Sequence, residues 1–152
     1  MTRVHTQLIG STGRSTNSGA GRVLIAVYGI FALAATARAS VQLLTRFEEA
    51  PLAYLLSALA GLIYIVATIT LARGTGVSRR LALIAIIIEL LGVVVVGTLS
   101  VVYPEAFPRA TVWSVFGIGY GFVPLVLPIL GLAWLWYTRP ISAEPVTGLA
   151  DP

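Results

Sequence analysis

The sequence predicts an all-α fold: a bundle of four transmembrane helices joined by short loops, with disordered N- and C-terminal tails. Three observations carry that prediction. The apolar residues gather into four long runs, about 23–44, 52–72, 81–102 and 112–137, and about 20 helical residues suffice to cross a hydrocarbon core of roughly 30 Å. Hydrophobic residues make up 57% of the chain and charged ones 11%, with a mean hydropathy of +0.92, far outside the soluble range. The basic residues, all of them arginine, sit between the runs instead of within them, with Arg38 as the exception.

That distribution orients the bundle. Arg3, Arg14 and Arg22 precede the first run, Arg73, Arg79 and Arg80 lie between the second and third, and Arg139 follows the fourth. Only Arg46 and Arg109 occupy the other two connections. The excess of arginine on one side places both termini in the cytoplasm. A pI near 10 is therefore an orientation signal and not a sign of nucleic-acid binding. The expected organisation is a cytoplasmic tail over 1–21, a membrane domain over 22–138 and a second cytoplasmic tail over 139–152.

Several chemistries are excluded at once. The chain has no cysteine and a single histidine, His5, so disulfides, thiol nucleophiles, iron–sulfur ligation and bis-histidine haem ligation are out of reach. No phosphate loop, nucleotide fingerprint, zinc ligand set or nucleophile–base pair is present. Neither a catalytic site nor a cofactor is expected.

The first run, VLIAVYGIFALAATARASVQLL, is uniformly apolar until Thr36, Arg38, Ser40 and Gln42. It can be taken for a secretory signal, but the polar stretch before it is long and membrane segments follow, so an uncleaved helix is expected. Ala34, Ala35, Arg38, Gln42 and Thr45 recur at steps of three and four, which puts them on one face. Leu33, Val41 and Leu44 face lipid. Arg38 either turns into the bundle or reaches outward to the interface.

TRFEEA forms the first outer connection, and Pro51 suits the first turn of the second helix. Glu48 and Glu49 are expected to favour the positive end of that helix. In the second run Ala53, Ser57 and Gly61 make a small-residue face for close helix contact. Tyr54 belongs to an interfacial belt, whereas Tyr64 lies deep enough to need a partner within the bundle. RGTGVSRR is expected to be an inner loop.

The third run, LALIAIIIELLGVVVVGTLSVV, carries one charge, Glu89, near its middle. A carboxylate there costs about 2.5–3.5 kcal/mol on insertion scales. Glu89 shares a face with Ala82, Ala85, Gly92, Val96 and Ser100, opposite Leu83, Ile87, Leu91 and Val94, so it points at protein. Arg38 is its first-choice partner, although at about 1.5 Å per residue the two lie roughly 10 Å apart along the membrane normal. If Arg38 turns outward, Tyr64 or Tyr120 takes its place. Arg38, Glu89, Gln42 and Tyr64 are the candidate intramembrane polar contacts.

The fourth run contains Gly117, Gly119, Gly121, Pro124, Pro128 and Gly131. Gly117 and Gly121 form a GxxxG step for packing or dimerisation, and Pro124 and Pro128 each remove a backbone bond and kink a helix. A kinked packing helix is the expectation, ahead of a broken helix lining a transport site. Trp113 at one end, and Trp134, Trp136 and Tyr137 at the other, are assigned to the two aromatic belts.

The stretches VWSVFGIGYGFVPLVLPILGL and FEEAPLAYLLSALAGLIYI resemble small four-span integral membrane proteins of high-GC Gram-positive bacteria, a group without a named function, over about residues 22–138. The resemblance implies a bacterial inner membrane. The expected partners are the lipid bilayer and a membrane protein or further copies of the chain. The functional expectation is a structural or accessory subunit, with a proton-coupled carrier using Glu89 as the alternative.

Overall fold

The computed structural model describes residues 19–139; the rest of both expected tails lies outside the described residues. Helix α1 is Gly19–Thr45, α2 is Pro51–Arg73, α3 is Gly76–Val102 and α4 is Val123–Tyr137, and the described residues contain no strand. The first three are each long and apolar enough to cross a membrane. Ser114–Tyr120 and α4 make a fourth span when counted together, bent by 98° at the break between them.

Local chemistry sets the helix ends. Pro51 occupies the first turn of α2 as expected, where its missing N–H costs nothing. Gly74 ends α2 in the left-handed region at φ 63°, donating its N–H to Thr70 O, a conformation glycine adopts without Cβ strain. Thr75 then caps α3, its hydroxyl accepting from Ser78 N at 3.3 Å. One glycine and one cap thus make the whole turn, and most of the expected RGTGVSRR loop is the first turn of α3. Helix α1 likewise starts at Gly19, inside the expected tail, because extending a formed helix adds one bond per residue fixed.

Helices α1 and α2 form the most extensive pair, α3 packs on α2, and α4 packs on α3 while barely touching α1. The buried face of α1 carries Leu24, Tyr28, Ala32, Ala35 and Ala39. That of α2 includes Ala53, Ser57, Ala60, Gly61, Tyr64 and Ala67. Lipid and protein atoms are equally apolar, so such helices associate by close packing of small residues. Between α1 and α2 the backbones come close at Gly61, where an added Cβ would lie 2.9 Å from Thr36 Oγ1 and 3.2 Å from Thr36 N. On the outward faces Leu33, Val41, Leu44, Leu83, Ile87, Leu91 and Val94 are exposed to the surroundings, as expected.

The fourth span departs most from expectation. It is not a kinked helix from 112 to 137: regular helix begins only at Val123, and α4 covers roughly 22 Å at about 1.5 Å per residue. Upstream, Val115, Phe116 and Gly117 have φ of 49°, 57° and 81°, and Gly121 and Phe122 have 62° and 61°. Such left-handed conformations strain a β-branched or bulky residue by about 1–3 kcal/mol each. They persist because side chains satisfy the irregular backbone. Ser100 Oγ accepts from Val115 N at 2.8 Å, Thr111 Oγ1 accepts from Trp113 N and Ser114 N, and Ser114 Oγ accepts from Thr111 N. Non-helical backbone at membrane depth requires this kind of internal satisfaction.

Gly61→Ala is expected to lower unfolding stability in detergent by about 1–3 kcal/mol through overpacking. Gly29→Ala, whose Cβ would meet only Thr68 Cγ2 at 3.7 Å, should be close to neutral. Equal midpoints for the two variants would contradict the close approach at Thr36.

Candidate functional site

The candidate site is the polar centre around Glu89, which is fully buried on α3. Its first partner comes from α1: Tyr28 donates its hydroxyl to Glu89 Oε2 at 2.9 Å. Tyr28 is itself fully buried, and its hydroxyl fits against α4 because Gly131 has no side chain; a Cβ there would lie 3.2 Å from it. Helix α2 contributes Tyr64, whose ring is 6.2 Å from that of Tyr28 and meets Phe31 edge-on at 5.8 Å.

Trp113 closes the centre. It leaves the irregular segment and lays its indole over Gly92, where an added Cβ would be 2.8 Å from the ring. At 2% exposure it is a core residue, not the belt residue that the sequence suggested. Its Nε1 approaches the Tyr64 hydroxyl without either atom completing a hydrogen bond. Glu89 Oε1, Tyr64 OH and Trp113 Nε1 are thus three buried polar atoms without a partner. One accepts, one donates, and the hydroxyl does either. Among the described residues no group of three His, Cys, Asp or Glu side chains could hold a metal ion.

Arg38 is not brought to Glu89. It donates to Tyr120 OH at 2.6 Å and to Ala110 O at 3.2 Å, with its guanidinium 5.9 Å from the Tyr120 ring centre. The broken fourth span supplies its partners, presenting Tyr120 and the Ala110 carbonyl near the C-terminal end of α1. Gln42 lies beside Arg38, Arg46 and Arg109 in an open groove at that end, and its Oε1 is buried and unpaired.

The other expectations are placed as follows. Gly117 and Gly121 do not form a helical GxxxG face; both sit at positive φ around the break. Gly117 packs on the Pro124 ring, with an added Cβ 2.8 Å from Pro124 Cδ. Pro124 lies in the first turn of α4, and Pro128 lies inside the helix. Tyr54 is buried rather than interfacial, and its hydroxyl donates to Glu49 Oε2 at 3.4 Å. Glu49 does not cap α2. It pairs with Arg109 at 3.1 Å, joining the α1–α2 connection to the segment after α3 through exposed charges of little energetic weight.

Tyr28 and Trp113 were missed as partners. The signal for Tyr28 was available, because Leu24, Tyr28, Ala32, Ala35 and Ala39 recur at steps of three and four. No periodic signal could place Trp113, which reaches the core from non-helical backbone. Comparison of the chain with protein-family models, curated proteins and solved structures finds no match.

Tyr28→Phe removes the only hydrogen bond to Glu89, and leaving a buried group unsatisfied costs about 1–3 kcal/mol. Unfolding of Tyr28→Phe, Glu89→Leu and the double variant should show coupling of about 0.5 kcal/mol or more, with the double variant recovering part of the loss. Arg38→Gln combined with Glu89→Leu should be additive. The opposite pattern would restore the Arg38–Glu89 pair.

Proposed function

We propose that the chain is a non-enzymatic accessory or interaction subunit of a bacterial inner membrane, with both termini cytoplasmic. The carrying observation is the open side between α1 and α4. These helices barely touch, and the space between them is a groove of about 820 Å3 lined by residues such as Val23, Val27, Val126, Leu130 and Trp134. Its walls are almost wholly apolar, a surface suited to the apolar side of a partner's membrane helix. The polar centre supports the same reading: Glu89 is tied to Tyr28 across α1 and α3, a contact that fixes helix register. The arginine distribution supports the orientation, and the resemblance to small four-span proteins supports the membrane.

A second reading, a proton-coupled carrier, is favoured by the three unpartnered polar atoms and by the discontinuous fourth span, a feature found where membrane helices line transport sites. In it Glu89 takes up and releases the proton while the segment around Gly117 and Gly121 moves.

Purification in mild detergent separates the two. The subunit reading expects a membrane protein to co-purify in fixed proportion, and Val27→Trp with Leu130→Trp to release it while the bundle still folds. A second copy in its place would show self-association. The carrier reading expects proton or solute flux in reconstituted vesicles that disappears in Glu89→Gln, and flux unchanged by that substitution would remove it.

A further inference from the structure

The arginine-rich end of the bundle contains a second built feature, between α3 and α4. Arg79 and Arg80 stand in the first turns of α3, and Arg139 follows the end of α4. Arg79 is already engaged. It donates to Thr138 Oγ1 at 2.9 Å and to Leu135 O at 2.6 Å, so its cation meets the carbonyl end of α4, where the helix dipole favours positive charge. Arg80 and Arg139 are exposed and are joined to no acid: the one ion pair among the described residues is Arg109 with Glu49, at the other end. The described acids are Glu48, Glu49, Glu89 and Glu105, and none belongs to this end.

The three arginines line a groove of about 760 Å3 together with Val77, Leu83, Leu132 and Trp136. Its lining thus combines cations with apolar side chains. A soluble anion would use only the cations, and a neutral acyl chain only the apolar walls. We propose that this groove binds one anionic phospholipid. The phosphate sits between Arg80 and Arg139, whose forked donors match its oxygens, and an acyl chain runs along Leu83 and Leu132. The Trp136 ring, 67% exposed, stands at headgroup level, where tryptophan is favoured. Basic pockets between membrane helices recognise acidic headgroups in this way. Arg79 holds the two helix ends in place, so the site is built before the lipid arrives.

The test uses the full chain in mild detergent, with phosphatidylglycerol and phosphatidylcholine of identical chains, read by native mass spectrometry. The wild type is expected to retain one phosphatidylglycerol under conditions that strip phosphatidylcholine. Arg80→Gln with Arg139→Gln should lower that preference roughly tenfold, as expected for two headgroup-facing arginines. Its thermal stability without lipid should be unchanged, because neither side chain makes an internal bond. Arg22→Gln with Arg73→Gln removes the same charge outside the groove and should keep the preference. Equal retention of the two lipids by the wild type would overturn the proposal, as would an equal loss in the Arg22/Arg73 variant. Retention of inorganic phosphate alone in place of the lipid would also overturn it.

Discussion

A carboxyl group in the middle of a membrane helix has no water to turn to, so the protein must bring it partners. Much of the bundle's interior follows from meeting that demand at Glu89. Helix α1 supplies Tyr28 as the donor, and α2 places Tyr64 beside it. The chain after α3 folds back to lay Trp113 across the top. These large side chains fit because the helices facing them are small at the contact: Gly92 lies under the indole and Gly131 opposite the Tyr28 hydroxyl. The small residues that let the helices approach are the same ones that make room for the aromatic shell.

The shell has a structural cost, which falls on the fourth span. To send Trp113 inward and still return to the arginine-rich end, residues 111–122 abandon regular helix. Five of them take positive φ. The freed backbone groups turn to Ser100, Thr111 and Ser114 and to carbonyls within the segment itself, as backbone at this depth requires. Aromatic contacts extend the shell outward from Tyr64 through Phe31 to Tyr120, where Arg38 completes it. A continuous run of aromatic rings therefore links the Glu89 centre to Arg38.

The first three helices were legible because each runs long enough for period and composition to agree. The buried and lipid-facing sides of α3 can be read directly from the spacing around Glu89. The partner of Glu89 was harder. Charge complementarity favours Arg38, but the two lie at different heights along the bundle, and a guanidinium finds cheaper partners near the end of α1 than in the core. A tyrosine in an apolar run gives no such cue, although its place on the Leu24–Ala39 stripe was available. The break in the fourth span was hidden for a different reason. Glycines and prolines announce a departure from regular helix, but kink and break share that composition, and what selects the break is hydrogen bonding from residues distant in sequence. Ser100, on α3, is the example.

Arginine has a further role here beyond orientation. The fourth span packs along α3 but has little contact with α1. Two guanidinium groups from neighbouring helices also hold its ends. Arg38 of α1 binds Tyr120 and Ala110 O before α4 begins, and Arg79 of α3 binds Leu135 O and Thr138 where α4 finishes. Each offers several donors in a rigid plane, so each can hold a side-chain oxygen and a backbone carbonyl together. Because the span is pinned at its ends, its middle need not pack against α1. The apolar groove between α1 and α4 is the consequence: a side of the bundle left open without loss of the fold.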